Sequence, residues 1–251
     1  MNWASSRNIM YGFIFLVILI ALGVFGFRTI LFPTPSCTDS KQNGYEEGVD
    51  CGGLCARKCI DQILPVSVLW SRVLPVSDGV YDLVGLISNR NVDASPFTMN
   101  ATFTVFNKKA DVIFSKKVNI TPPTAGEAPI LIQNVFLKEE PKNVVITLEE
   151  GTSYKTPKAF QSVQISVVST SFENGEIPRA YAMIRNLTRE RFTNFPVKIL
   201  LYDGDQNVIG TGETFVESLD KEADKKVVFT WKDTFTKIPI VIKAYPILSP
   251  F

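Results

Sequence analysis

Apolar residues form one uninterrupted stretch near the start of the chain. Residues Ile9–Phe27 contain no charged side chain and no proline. At about 1.5 Å per residue, a helix of this length spans roughly 28 Å, close to the thickness of the hydrocarbon core of a bilayer. The pattern therefore predicts a membrane-spanning helix, which we assign to residues 9–32, after a short N-terminal segment at residues 1–8.

A cleaved signal sequence and a buried core helix are the alternative interpretations of this stretch. A signal sequence has a shorter apolar region, about 7–15 residues, and a cleavage site of small residues. Here apolar residues continue beyond Arg28, and no Ala-x-Ala-like site precedes Pro33. Core helices rarely carry so long an apolar run so near the N-terminus. We expect an uncleaved anchor that contacts membrane lipid.

Beyond the cysteines the pattern changes to an alternation with a period of two. Met99, Ala101, Phe103 and Val105 alternate with Asn and Thr residues, which predicts a strand with one buried face. Short segments of this kind, separated by Asn, Asp, Gly and Pro, recur to the end of the chain without a convincing helical period. We therefore expect an all-β fold of immunoglobulin-like sandwiches.

The strand region also repeats itself at an offset close to 96 or 97 residues. The paired segments are 66–70 with 163–167, 81–89 with 179–186, 106–113 with 202–209, and 144–146 with 240–242. A constant offset indicates two copies of one fold. We expect tandem sandwich domains at residues 62–150 and 158–251, joined by a polar linker at 151–157.

All four cysteines lie in a polar segment at residues 33–61, namely Cys37, Cys51, Cys55 and Cys59. A segment with so few apolar residues needs cross-links in order to fold. Two disulfides suit an oxidising exterior, whereas four zinc-bound thiolates suit a cytosolic module with paired C-x2-C knuckles. The cysteine spacing fits zinc poorly, so we expect disulfides, for which three pairings are open.

The cysteine segment resembles a small motif of bacterial, archaeal and some eukaryotic surface proteins. It reads Cys-x-Asp-x-x-Gln-Asn-Gly-x-Glu-x-Gly-Val-Asp-Cys-Gly-Gly-x-Cys. The chain departs from the motif at Tyr45, where an acidic residue is usual, and in having three residues before Cys59. The resemblance covers residues 37–59 and implies an extracytoplasmic position, with the N-terminus in the cytoplasm. It implies no activity.

Two further resemblances fall on the strand region. Residues 185–188 and 195–212 look like part of the FxLYD-type small sandwich domain of secreted bacterial proteins. Residues 88–91, which precede a strand, are similar to the late-embryogenesis-abundant type-2 sandwich. Both resemblances imply immunoglobulin-like domains that bind or scaffold and share no catalytic site.

Four polar residues of the cysteine segment recur every three to four positions: Asp39, Asn43, Glu46 and Asp50. Oxygen ligands in a glycine-containing loop suit calcium, which is the one cofactor that the sequence offers. The alternative is a solvated loop in which these side chains cap their own backbone turns. A second acidic stretch, residues 203–207, lacks the glycine and the terminal glutamate of a calcium loop, and we expect a β-hairpin turn there.

Three Asn-x-Thr triplets, at Asn100, Asn119 and Asn186, are candidate sites of N-glycosylation in an exported chain. We expect Asn100 and Asn119 on the polar faces of strands.

Composition narrows the classes of function. The 251 residues include 26 basic and 25 acidic side chains and no histidine. The balanced charge gives no footprint for nucleic acid, and a site that relies on histidine cannot exist. We expect a single-pass plasma-membrane protein with a non-catalytic scaffolding or interaction role, possessing a protein partner or forming a homo-oligomer. A ligand-binding module and a carboxylate-based hydrolase are the alternatives.

Overall fold

The computed structural model describes residues 3–31, 37–55, 59, 63–91, 95–96, 98–123, 125–149, 154–155 and 164–248. Two compact units divide the chain, Met1–Cys59 and Ile60–Phe251. Most of the 151–157 linker prediction lies outside the described residues. Its described part, Tyr154–Lys155, forms a short strand.

Helix α1 (Trp3–Leu31) contains the whole apolar stretch. Its side chains from Met10 to Arg28 are mostly exposed, and the helix is long and apolar enough to cross a membrane. Membrane anchors and signal sequences share this property. The structure therefore confirms an N-terminal apolar helix.

The described part of the second unit is built from strands. The first half, residues 63–149, contains β1 (Ser67–Ser77), β2 (Val80–Asn89), β3 (Ser95–Pro96), β4 (Met99–Asn107), β5 (Val112–Ile120), β6 (Gly126–Phe136) and β7 (Pro141–Leu148). Its main sheets have the strand orders β1-β2-β6 and β5-β4-β7. Strand β3 pairs with β8 (Tyr154–Lys155).

The second half, residues 164–248, contains β9 (Ile165–Glu173), β10 (Arg179–Asn186), β11 (Phe192–Tyr202), β12 (Val208–Leu219), β13 (Asp224–Thr230) and β14 (Val241–Pro246). Its sheets have the strand orders β13-β10-β9 and β12-β11-β14. If the short strand β3 is set aside, the strands of the two halves pair in the same order. These sheets confirm the expectation of an all-β, sandwich-like fold.

Alternation along the strands produces a separate core in each half. In β4, every second residue from Met99 to Asn107 is buried, as the sequence pattern predicts. Phe103 and Val105 pack with Ile87 of β2 in the first core. The second core contains Val197, Ile199 and Leu201 of β11 among its buried residues.

A third apolar layer joins the two halves. Val84 and Leu86 of β2 pack with Leu200 of β11, and Trp70 and Tyr245 pack against this cluster. The sheet β1-β2-β6 therefore faces the sheet β12-β11-β14, so β2 and β11 are buried on both faces. The period-two pattern does not predict this contact, because it indicates one buried face per strand.

Candidate functional site: the cysteine segment and the exposed loops

Two disulfides cross-link the cysteine segment. Cys37 is bonded to Cys55 and Cys51 to Cys59, with Cα–Cα distances of 5.7 Å and 5.0 Å. The structure thus confirms the disulfides and selects one of the three pairings. Glu46 lies close to the sulfur atoms of Cys37 and Cys55. Because those sulfurs are bonded to each other, they are not the thiolates that zinc requires.

Glycines allow the segment to close tightly around these bonds. Gly52 and Gly53 both have positive φ values, of 73° and 58°. A Cβ atom on Gly53 would clash with the carbonyl oxygen of Tyr45, and one on Gly52 would lie 2.6 Å from Glu47 Oε2. Only glycine fits at these two positions without a backbone shift.

The four residues predicted as calcium ligands come together in one hydrogen-bond network. Asp50 accepts hydrogen bonds from the backbone amides of Asp39 and Ser40, at 2.9 Å and 2.8 Å, using both carboxylate oxygens. Asp39 Oδ2 accepts a hydrogen bond from the side-chain nitrogen Nδ2 of Asn43 at 2.8 Å. Glu46 Oε2 accepts one from the backbone amide of Asn43 at 3.1 Å. These contacts stabilise turns of the loop, as the capping alternative expects. Calcium binding itself stays a prediction.

The acidic stretch at residues 203–207 is a hairpin turn between β11 and β12. Asp203 Oδ1 accepts hydrogen bonds from the amides two and four residues later, at 3.0 Å and 2.8 Å. Asn107 makes the same two bonds in the hairpin between β4 and β5, both at 2.9 Å. The two caps lie 96 residues apart. The hairpin is thus confirmed, and its cap has an equivalent in the first half.

A second pair of equivalent caps involves buried asparagines. Asn89 Nδ2 donates to the carbonyl of Pro123, 34 residues later, and Asn186 Nδ2 donates to the carbonyl of Asp220, also 34 residues later. The Oδ1 atom of each asparagine accepts from the amide two residues later. These asparagines lie 97 residues apart, within the offset of the sequence repeat.

The candidate glycosylation residues occupy three different environments. Asn100 is half-buried on β4, Asn119 is exposed on β5, and Asn186 is buried at the end of β10. Asn100 and Asn119 lie directly opposite each other across the two strands, and they share the outer face of their sheet.

Charged residues pair across strands and loops. Arg185 donates two hydrogen bonds of 2.6 Å to Asp224, which lowers the pKa of Asp224. Lys237 contacts Asp203 at 2.7 Å and lowers the pKa of that carboxyl group. Lys117 likewise lowers the pKa of Glu149. Each of these carboxyl groups pairs with a cation. A carboxylate-based hydrolase would instead need two carboxyl groups that converge on a cleft.

A partly buried lysine connects the facing sheets. Lys198 Nζ donates to the carbonyl of Pro129 at 3.2 Å and lies 3.8 Å from Glu213. Burial lowers the pKa of Lys198, and Glu213 partly opposes that shift. Lys198 was not among the predicted site residues, although a lysine within an apolar strand run is a visible signal.

A groove of about 270 Å³ lies where the two halves meet. Its lining comprises Thr121 from the first half and residues 192–196, 247 and 248 from the second. Sites for drug-sized ligands usually have volumes of about 300–1,000 Å³. The groove is therefore below the usual size for the ligand-binding alternative.

Two loops and the start of β14 place exposed apolar side chains at one end of the second half. Ile177, Ile238, Ile240 and Val241 are exposed there, and we call these four residues the apolar end. The loops contact one another, because Asn174 exchanges two hydrogen bonds of 3.2 Å with the backbone of Phe235.

An aromatic cluster packs against the second core next to the loops of the apolar end. The rings of Phe172, Trp231 and Phe235 lie with centroids 5.3–6.3 Å apart. Trp231 Nε1 donates to the Thr211 carbonyl at 2.9 Å. Gly210 leaves room for the Phe235 ring, since a Cβ atom there would lie 2.7 Å from it. These contacts fix the loops that carry the exposed isoleucines.

Comparisons with known proteins do not assign a family or a function to this chain. No protein-family model matches the sequence, and no curated protein matches it. Among solved structures, the chain is similar to red sea bream transglutaminase, with 7% sequence identity and a TM-score of 0.24. The match covers 74% of this chain and 29% of that protein, so the chain spans less than a third of its length. A similarity this low carries no argument about function.

Proposed function

We propose that the chain is a single-pass protein of the plasma membrane that scaffolds or binds other proteins on the extracytoplasmic side. Residues 1–8 are cytoplasmic and residues 9–32 span the bilayer. The two disulfides support this orientation, because such bonds persist in oxidising compartments. The length of helix α1 supports an anchor over a signal sequence, whose apolar region is shorter.

Protease protection tests the topology. The chain is given one epitope tag at each end, and protease is added to intact cells or spheroplasts. The C-terminal tag should be removed while the N-terminal tag survives within a fragment that includes helix α1. Protection of the C-terminal tag in intact cells, with cleavage only after lysis, would refute the orientation.

We infer that the extracytoplasmic region is a tandem duplication of one immunoglobulin-like sandwich. The shared strand order supports this inference. So do the equivalent caps at Asn107 and Asp203 and at Asn89 and Asn186, whose offsets match that of the sequence repeat. Each half also has an equivalent hydrogen bond between its two sheets. Ser71 Oγ on β1 donates to a β7 carbonyl, and a threonine on β9 donates to a β14 carbonyl.

The apolar end is the observation that carries the interaction role. Ile238 and Ile240 are 63% and 68% exposed, and Ile177 and Val241 are also exposed at this end of the second half. Isolated apolar side chains are common on protein surfaces, but clusters of them mark contact sites. The supporting aromatic cluster reduces the entropy that these loops would lose when a partner binds.

Site-specific photocrosslinking in intact membranes tests this role. A diazirine amino acid replaces Ile240 in the full-length chain, and a second variant carries it at Leu187. Leu187 is a matched control, because it is 55% exposed and lies at the opposite end of the same half. We expect a discrete protein adduct from position 240 and none from position 187.

The outcomes of that experiment separate the possible contacts. An adduct of twice the chain mass would identify a homo-oligomer, and another discrete mass would identify a different protein. Lipid adducts alone, or equal labelling from positions 240 and 187, would refute the role proposed for the apolar end.

A further inference from the structure

The fold distinguishes sharply among the three Asn-x-Thr triplets. Asn186 is only 1% exposed, and its Nδ2 atom donates to the carbonyls of Glu190 and Asp220 at 2.7 Å and 2.8 Å. Both amide hydrogens are therefore used inside the protein. A sugar on this nitrogen would remove one of these bonds and would have to occupy filled space, so the folded chain does not accommodate it.

Asn100 is also restrained. It lies on β4, the central strand of the sheet β5-β4-β7, and is half-buried. Its Nδ2 atom donates to Glu149 Oε2 at 3.1 Å. Lys117 pairs with the same carboxylate, at 2.6 Å. A substituent on Asn100 Nδ2 would disrupt its hydrogen bond to Glu149 and crowd the ion pair between Glu149 and Lys117.

Asn119 lies in an open position. It is exposed near the end of β5, and β5 is an edge strand that pairs only with β4 among the described residues. Its side chain shares the outer face of the sheet with Asn100, away from the first core. Thr121 follows in the triplet position and is only partly exposed.

We propose that Asn119 is an N-glycosylation site and that Asn100 and Asn186 are not modified. The donor is an oligosaccharide linked through phosphate to a polyprenyl lipid. The Asn119 amide nitrogen forms a bond to C1 of the first sugar, the bond from C1 to the phosphate oxygen breaks, and the lipid phosphate leaves while the amide gives up one proton. The proposal rests on the extracytoplasmic position proposed above.

A glycan at Asn119 would cover the free edge of β5. Edge strands expose unpaired backbone groups that can pair with another chain, and natural sheets protect them with charges, bulges or covering groups. Lys116 and Lys117 already place two exposed cations on this strand. The sugar would add a covering group at the Asn119 end of the strand, next to Lys117.

Expression of the full-length chain in cells that carry an oligosaccharyltransferase tests the proposal. Intact mass and peptide mapping should show one glycan, at Asn119, and its mass should be lost in both Asn119→Gln and Thr121→Val. The control variant is Val145→Thr, which creates a triplet at the exposed Asn143 on the opposite edge strand of the same sheet. Because valine and threonine have similar shapes and Val145 is 45% exposed, the sheet should tolerate this change.

Each outcome decides a separate point. A glycan at Asn143 in Val145→Thr, together with an unmodified Asn119, would overturn the Asn119 proposal and leave the topology intact. If both Asn119 and Asn143 stay unmodified in cells that glycosylate a reporter protein, the strands lie on the wrong side of the membrane and both proposals fail. A glycan at Asn100 or Asn186 would also overturn the assignment.

Discussion

Truncation of Leu200 tests whether the two halves form one folded body. Leu200 is fully buried, yet it faces away from the second core and packs against Val84 and Leu86 of the first half. Leu200→Ala removes three buried carbon atoms, which corresponds to about 2.4 kcal/mol of transfer free energy at roughly 0.8 kcal/mol per carbon. The cavity left between the sheets adds to this cost. We expect a loss of about 3–5 kcal/mol in the free energy of unfolding.

Urea unfolding of residues 60–251 measures this loss, because these residues form a compact unit. Trp70 packs against the layer between the halves and Trp231 against the second core, so tryptophan fluorescence reports on both regions. Leu187→Ala is the control, since an exposed leucine should cost less than about 0.5 kcal/mol. A cost below about 1 kcal/mol for Leu200→Ala would show that the halves do not depend on each other.

The remaining predictions concern the cysteine segment and one hairpin. Gly53→Ala should lower the yield of native disulfides in thiol-trapping mass spectrometry, because its Cβ atom would clash with Tyr45, whereas Gly175→Ala has open space and should have no effect. Cys37→Ser should free its partner thiol for maleimide labelling and, by removing a loop constraint of about 3 kcal/mol, make the segment protease-sensitive. The pKa of Asp203 is lowered in the folded state, so its contribution to stability should be present above the ordinary aspartate pKa of about 3.9 and lost as pH falls below it. Between pH 5 and pH 3 the urea midpoint should therefore fall less in Asp203→Asn than in the unaltered protein.

Each of these three predictions can be contradicted by a specific result. Normal disulfide yield in Gly53→Ala would mean that the segment tolerates a backbone shift at this turn. Maleimide labelling of Cys51 or Cys59, instead of Cys55, in Cys37→Ser would indicate a different pairing from the one in the structure. An equal fall in the urea midpoint for both forms would show that Asp203 does not contribute to acid sensitivity.

Local features were predictable because they depend on neighbouring residues. The apolar run of helix α1, the alternation in β4 and the hairpin at residues 203–207 all follow from short-range patterns. The disulfides were predictable for a related reason, since a polar segment of this size needs cross-links and its cysteine spacing fits zinc poorly. Their pairing was not, because 37–55 with 51–59 is one of three arrangements that the spacing permits.

The exposure of the three asparagines in the Asn-x-Thr triplets could not be predicted from the sequence. They have the same form in the sequence, but Asn186 is a buried cap whereas Asn119 is exposed on an edge strand. The difference arises because Asn186 meets the carbonyl of Asp220, 34 residues away. A contact over that distance is not encoded in a triplet.

The sequence by itself determined the apolar helix, the cross-linked segment and the alternating strands, because each arises from residues that lie close together along the chain. Only the tertiary structure decided how the cysteines pair, which asparagine stays open, and that Leu200 and Val84 meet in a layer between the two halves. A strand pattern indicates which side chains share a face. Which surface covers the second face depends on contacts between distant parts of the chain, and a period of two contains no information about them.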